Sequence, residues 1–331
     1  MRESQQKQPT VAIVGTGVIG VGWITRFLAG GCDVVATDMA EGAEERMRKG
    51  VEQAWPYMEQ RGLAEGASMD RLTFKNNIED AVKDAALVQE NVPEREDIKR
   101  KVLSDIDEHA PLEAVIASST SGITPSTLQQ DCTHPERVIV AHPFHPVYLL
   151  PLVELVGGTS TVQKTMDKAE DIYKQVDMKP LVIEKEVEGH VADRLMEALW
   201  REALHIVNDG IATTEEVDAA ITYGAGLRWA QMGPFMTFHL AGGDQGMRHM
   251  LHQFGPALKL PWTKLEAPEL TEELKEQVIE GSEKGAGHQS VAELEKQRNE
   301  FLVKLLDLVE EYWPEPQTIM HNKTKESSHD G

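Results

Sequence analysis

Two cysteines in 331 residues, Cys32 and Cys132, are too few for a disulfide framework, and they fit a protein of the reducing cytoplasm. No apolar run approaches the roughly 18 residues that cross a bilayer, and the opening MRESQQKQPT lacks the apolar stretch of a secretory signal. Cations are also scarce: 33 Lys and Arg stand against 55 Asp and Glu, a net charge of −22 spread along the chain rather than held in a tail. That balance argues against nucleic acid and anionic membranes as partners. It disfavours very anionic ligands only weakly, since a local Lys/Arg cluster can still hold a phosphate. Aromatic residues make up 5% of the chain, so the places where they gather carry information. No internal repeat or low-complexity segment is evident.

What is present is ordinary globular composition, 40% hydrophobic, in a chain longer than one typical domain. Short β-branched runs at residues 10–14 and 33–37 flank a helix-length segment, which predicts a βαβ opening. Residues 41–61 and 95–109 read as helices, and residues 87–90, 114–118 and 138–141 as short apolar strands. Alternation of this kind predicts an α/β Rossmann fold, a doubly wound and mostly parallel sheet. Beyond Glu186 the pattern turns helical. A long amphipathic helix is expected over 189–209, closed by Gly210. A capping box at Thr213 and Glu216 starts a short helix ended by Gly224 and Gly226, Pro234 suits a first turn, and residues 271–281 and 290–312 complete an all-α C-terminal domain. The expected division is an NAD-binding domain at 1–186, a helical substrate and dimerisation domain at 187–320, and a loose tail at 321–331, with Met1 to Gln8 a loose end.

VAIVGTGVIG places Gly15, Gly17 and Gly20 in G-x-G-x-x-G spacing, directly after a strand and at the start of a helix. The first glycine permits a tight turn, the second lets backbone approach a pyrophosphate, and the third lets helix and strand pack closely. The intervening Thr16, Val18 and Ile19 belong to the same cofactor loop. Asp38 ends the second strand at the distance of the carboxylate that accepts from a ribose 2′-OH, and its charge would repel a 2′-phosphate, which favours NAD over NADP. The plainer account is a turn of glycines and a capping Asp.

RVIVAHPFHPVYLLPLVELVGG sets His142 at the end of an apolar strand and a lone carboxylate, Glu154, inside the next. Alcohol oxidation by NAD requires a base of near-neutral pKa for the hydroxyl proton, and imidazole meets that need without tuning. A carboxylate on the second ring nitrogen would fix the tautomer, and one in so apolar a run is costly unless paired. A structural histidine is the competing account for His142 alone. The step from His142 to His145 does not align two side chains on a strand, and no acid or Cys cluster accompanies them, so no metal is expected.

These residues resemble the 3-hydroxyacyl-CoA dehydrogenase superfamily, in which a His followed twelve residues later by a Glu is the catalytic pair. AHPFHPVYLLPLVELV looks like that signature, and the likeness runs from Val11 to about Trp313, taking in GHVADRLMEALWREAL and GLRWAQMGPF. It implies His142 as base, Glu154 as its orienting partner and Ser121 as hydrogen-bond donor to the reacting oxygen. It also implies Ser119, Glu94 and Lys99 lining the cofactor. Two positions depart from the acyl-CoA pattern: His145 and Asp193 stand where those members carry Asn. Asp193 would add negative charge beside the substrate, or else is an exposed first-turn charge that favours the helix dipole.

Phe144, Tyr148, Trp200, Tyr223, Trp229 and Phe235 fall in or near segments expected to line the cleft, and aromatic faces hold quaternary ammonium groups. Within the superfamily the resemblance implies a small hydroxy acid bearing a quaternary ammonium as substrate, which these rings suit, in contact with Phe144, His145, Asp193, Trp200 and Trp229. Core packing or a dimer interface is the alternative for each ring. Two other readings stay open: a dehydrogenase of another 3-hydroxy acid (an acyl-CoA thioester or a sugar acid), and a non-enzymatic, crystallin-like NAD-binding protein. No dense Lys/Arg cluster in the second domain favours the thioester, and apolar helix stripes there predict a homodimer.

Overall fold

The computed structural model describes residues 9–230, 232–242, 244, 246–256, 260–264, 269, 271–274 and 289–312. The chain divides into two compact units, Met1–Thr214 with Thr263–Val303, and Glu215–Trp262 with Lys304–Gly331. The expected loose ends at 1–8 and 321–331, and residues 275–281 of one expected helix, lie outside the described residues.

The first unit carries an eight-stranded sheet: β1 (Thr10–Val14), β2 (Asp33–Thr37), β3 (Leu72–Lys75), β4 (Leu87–Glu90), β5 (Val115–Ser118), β6 (Val138–Pro143), β7 (Leu152–Gly157) and β8 (Lys179–Ile183). The spatial order is β3-β2-β1-β4-β5-β6-β7-β8, parallel up to β6, with β7 reversed against β6 and β8 parallel to β7. Helices α1 (Val18–Ala29), α2 (Ala43–Arg61), α3 (Ile78–Val82), α4 (Glu96–His109), α5 (Pro125–Leu128) and α6 (Gln163–Gln175) cover the sheet, as parallel strands require. Alternate residues of β1 face opposite cores. Val11 and Ile13 pack with Trp23, Phe27 and Tyr173, whereas Ala12 and Val14 pack with Leu103 and Ile106. The strand order reverses between β1 and β4, so a crevice opens at the carboxyl ends of these strands, where open α/β sheets bind ligands.

After β8 every described element is helical: α7 (Ala192–Asn208), α8 (Thr214–Ala220), α9 (Gly226–Trp229), α10 (Pro234–Ala241), α11 (Gly246–Phe254) and α12 (Val291–Tyr312). The fold is thus the doubly wound α/β sheet followed by helices. Two local expectations change. The long helix starts at Ala192 instead of 189, because Gly189 (φ 71°) and His190 (φ 49°) are left-handed and cannot begin a right-handed helix. Gly224 interrupts the helical geometry, but Gly226 adopts right-handed helical angles and opens α9 instead of ending a helix. Pro234 occupies the first turn of α10 as expected.

Candidate active site

At the crevice, the turn after β1 shows what each glycine does. Gly15 (φ 91°) donates to the Thr37 carbonyl at 2.9 Å, and a Cβ there would meet the Asn91 carbonyl at 2.8 Å. A Cβ on Gly20 would lie 2.0 Å from the Gly15 oxygen, so helix α1 packs onto its own loop only through glycine. Gly17, at the cap of α1, would place a Cβ against nothing within 4 Å. Bare backbone therefore faces an open cleft of about 560 Å³ lined by Gly15, Thr16, Gly17, Asp38, Asn91 and Val102. Val18 is exposed and Ile19 half-buried beside it. Asp38 Oδ2 accepts from the Thr16 amide (2.7 Å) and hydroxyl (3.0 Å), and Oδ1 from the Ala40 amide (2.9 Å). Asp38 thus braces the glycine turn while lining the cleft. A bare helix N-terminus next to a carboxylate at the end of the second strand fits a dinucleotide.

A buried polar network continues from this cleft across the sheet. Lys99 Nζ pairs with Glu90 at 3.0 and 3.2 Å and lies 3.4 Å from Glu94, while Ser118 Oγ donates to Glu90 at 2.5 Å. Lys99 is therefore held beneath the turn after β4 instead of projecting into the cleft. Glu94, exposed, accepts from the Thr120 hydroxyl and from the Ser121 amide (3.1 Å), tying that turn to the serine loop after β5. Ser119 is held from three sides: it accepts from Trp23 Nε1 (3.1 Å) and Gln89 Nε2 (2.8 Å) and donates to Asn91 Oδ1 (2.7 Å). Gln89 in turn accepts from the Tyr173 hydroxyl. Gln89, Asn91 and Trp23 were not legible as site residues. Glu90 was, in principle, since a carboxylate in an apolar strand is the same signal that singled out Glu154.

β6 and β7 run antiparallel, and their register places His142 directly opposite Glu154. Twelve residues of separation become one cross-strand step. His142 Nδ1 lies 3.0 Å from Glu154 Oε2; a carboxylate only accepts, so Nδ1 carries the hydrogen and the neutral ring keeps its lone pair at Nε2. Glu154 Oε1 accepts from the amides of Val191 (3.0 Å) and Ala192 (2.9 Å) at the N-terminus of α7. Burial opposes the charged carboxyl, but the bonds from His142 and the two amides together outweigh it and hold its pKa below the ordinary Glu value. His142 and Glu154 are both buried, at 5% and 0% exposure, so the pair is closed to bulk water.

The second ring nitrogen of His142 faces Asp193: Nε2 lies 3.6 Å from Asp193 Oδ2. Burial, with repulsion from Glu154, pushes the Asp193 carboxyl above its ordinary pKa against the attraction of His142. The Phe144 ring meets His142 edge-on at 5.2 Å. The His190 ring lies 5.3 Å away, and its Nε2 donates to the Thr120 carbonyl at 3.2 Å. Nδ1 of His190 is then a buried acceptor with no partner among the described residues. Burial keeps His190 below its ordinary pKa and hence neutral at neutral pH. No pattern in the sequence marks a left-handed histidine, so His190 was missed.

The structure brings His142, Glu154, Asp193 and Phe144 together. Ser121 sits on the loop whose Thr120 carbonyl holds His190, with its residue exposed. His145 is exposed, two residues past the end of β6. Trp200, 52% exposed, shares a surface cleft along α7 with Asp193. Tyr148 is engaged elsewhere, stacking on Tyr57 at 6.3 Å and accepting from Asn299 at 2.7 Å. Tyr223, Trp229 and Phe235 are exposed residues of the second unit.

Residues 10–187 match the family model of the 3-hydroxyacyl-CoA dehydrogenase NAD binding domain, and residues 189–288 that of its C-terminal domain. An L-carnitine dehydrogenase of Oceanobacillus iheyensis is 70% identical over 304 residues, covering 92% of this chain and 99% of the relative. Another, from a Pseudomonas species, is 54% identical over 300 residues, 91% and 94% of the two chains. Among solved structures, an NAD+-dependent dismutase, 5-formyl-3-hydroxy-2-methylpyridine 4-carboxylic acid 5-dehydrogenase, superposes with a TM-score of 0.77 at 28% identity, covering 92% of this chain and 99% of that one. The (S)-3-hydroxybutyryl-CoA dehydrogenase of Ralstonia eutropha superposes at 0.63 and 26% identity, covering 83% and 94%.

Proposed function

Because the chain belongs to the 3-hydroxyacyl-CoA dehydrogenase family and is an NAD-dependent dehydrogenase, we propose that it oxidises the 3-hydroxyl of L-carnitine to 3-dehydrocarnitine, with His142 as general base oriented by Glu154. The observation that carries the chemistry is the buried contact of His142 Nδ1 with Glu154 at 3.0 Å, which leaves Nε2 as the proton acceptor. The likeness to L-carnitine dehydrogenases at 54–70% identity supports the substrate.

When bound at the glycine loop, NAD supplies the hydride acceptor. Gly15 to Gly20 and Asp38 would hold its pyrophosphate and ribose, and Ser119, with Glu94 and the underlying Lys99, would shape the nicotinamide end. Ser121 donates to the reacting oxygen, and His142 Nε2 takes the hydroxyl proton. Glu154 stabilises the imidazolium that results, and the Val191 and Ala192 amides keep Glu154 ionised and fixed. Phe144 and Trp200, with His145 and Asp193, are the residues of the first unit we assign to the substrate.

Supplied with NAD and, in turn, L-carnitine, 3-hydroxybutyryl-CoA and L-gulonate, the enzyme is expected to form NADH fastest with carnitine. Faster turnover of either other substrate would overturn the substrate assignment, and silence on all three would favour a binding protein. Phe144→Ala and Trp200→Ala are each expected to raise the Michaelis constant for carnitine roughly two- to thirtyfold, the worth of one cation–π contact. An unchanged constant in both would rule out the aromatic cage.

The family models meet between residues 187 and 189, which supports the proposed boundary of an NAD-binding domain at 186 and a helical substrate domain from 187 to 320. We assign the protein to the cytoplasm, in keeping with two free thiols, and to a homodimer. Exposed Leu195, Met196 and Leu199 on α7 in the first unit, and separately Phe235 and Leu240 on α10 in the second, support the homodimer, which a monomeric mass by light scattering would contradict.

A further inference from the structure

Both nitrogens of His142 face carboxylates: Nδ1 touches Glu154 at 3.0 Å and Nε2 lies 3.6 Å from Asp193. The two carboxylates are not equivalent. Glu154 is fully buried, and its second oxygen is tied to the Val191 and Ala192 amides. Asp193 is on the first turn of α7 with its side chain 28% exposed, and it lines the α7 cleft with Glu197 and Trp200. A carboxylate beside the working nitrogen, open to the cleft on its other side, stands where a cation on the substrate would meet it while the hydroxyl faces Nε2.

We propose that Asp193 is the counter-ion of the substrate's ammonium and so selects a hydroxy acid that carries one. When a hydroxy acid bearing an ammonium binds, the ammonium takes Asp193 as its counter-ion while Nε2, 3.6 Å from that carboxylate, receives the hydroxyl proton. This rests on the reading of His142 as the base and deepens it by assigning a specificity determinant. In carnitine the ammonium is two bonds from the carbinol carbon, so a carboxylate beside Nε2 is within reach of both ends of that short unit.

The groups facing the pair are Glu154 from β7, His190 from the turn before α7 and Glu197 from the next turn of α7. Glu197 is already engaged by Arg201 at 3.0 Å, and His190 is fixed to the Thr120 carbonyl. Asp193 is consequently the one of these groups that both contacts Nε2 and reaches the cleft. The raised pKa of Asp193 agrees with a carboxyl that is poorly compensated until a cation arrives. An ordinary first-turn helix charge would stabilise α7 without distinguishing substrates.

The test compares L-carnitine with its all-carbon isostere, 3-hydroxy-5,5-dimethylhexanoate, at saturating NAD, in the wild-type protein and in Asp193→Asn and Asp193→Glu. The wild type is expected to favour carnitine, and Asp193→Asn to reduce that preference in kcat/KM by roughly tenfold or more. Turnover of the isostere, which lacks the cation, should hold or rise in Asp193→Asn, because an unpaired carboxylate no longer faces its tert-butyl end. Asp193→Glu should restore most of the preference. Equal losses on both substrates, or an unchanged preference in Asp193→Asn, would overturn the proposal and leave Asp193 a structural charge. Undiminished carnitine oxidation by His142→Gln would instead remove the base itself, and the proposal with it.

Discussion

His142→Gln is expected to lower kcat for carnitine oxidation by roughly 10²- to 10⁴-fold, the contribution of a positioned general base, while NAD affinity measured by calorimetry stays unchanged. The separation follows from the geometry. The glycine loop, Asp38 and the cleft after β1 and β2 are built without His142, whose ring lies at the end of β6 among Glu154, Asp193, Phe144 and His190. Glutamine keeps a polar side chain of similar reach there, so the fold should survive and the loss should appear in turnover. A variant that loses NAD binding in the same measure would place His142 in the cofactor site instead.

Glu154→Gln is expected to act twice. In catalysis it should lower kcat by roughly 10²- to 10⁴-fold, because the imidazole loses the charge that stabilises its protonated form and the single amide oxygen of Gln cannot serve both Nδ1 and the two α7 amides. In stability it should cost about 1.5–3 kcal/mol, measured by denaturant unfolding near neutral pH, because a fully buried carboxylate that accepts from His142 and two helix amides is removed. The pH dependence follows from the lowered pKa of Glu154. Between the ordinary Glu value of about 4.3 and the lower folded value, the unfolded chain binds a proton that the native protein does not. The stabilisation is therefore complete above about pH 4.3 and is lost as the pH falls through the folded value. The gap in stability between wild type and Glu154→Gln should narrow in that acid range, and a gap independent of pH would contradict the ionised pair.

How much of this was legible in the chain depends on whether a signal was local. The glycine loop and Asp38 were readable because turn geometry and strand ends have short-range rules. Glu154 was readable because a carboxylate among Leu and Val must have a partner. Its register with His142 was not, since nothing local states that β7 turns back against β6. β8, KPLVI, was missed because three of its five residues are exposed and no buried face stands out. The start of α7 was placed too early because apolar periodicity continues back through Val191, while the left-handed angles of Gly189 and His190 have no periodic signature. The Ser119 network joins Trp23, Gln89 and Asn91 from three elements, and such convergence exists only once the sheet has assembled.

If His142 and Glu154 act as one proton-handling unit, a double-mutant cycle is the most direct measurement of it. The rate of NADH formation from L-carnitine at saturating NAD is compared among the wild type, His142→Gln, Glu154→Gln and the double variant. A unit predicts strong non-additivity, with the double variant losing no more than about threefold beyond His142→Gln alone. Losses that multiply across the two sites would contradict it, for then Glu154 would serve the enzyme by a route that does not pass through His142.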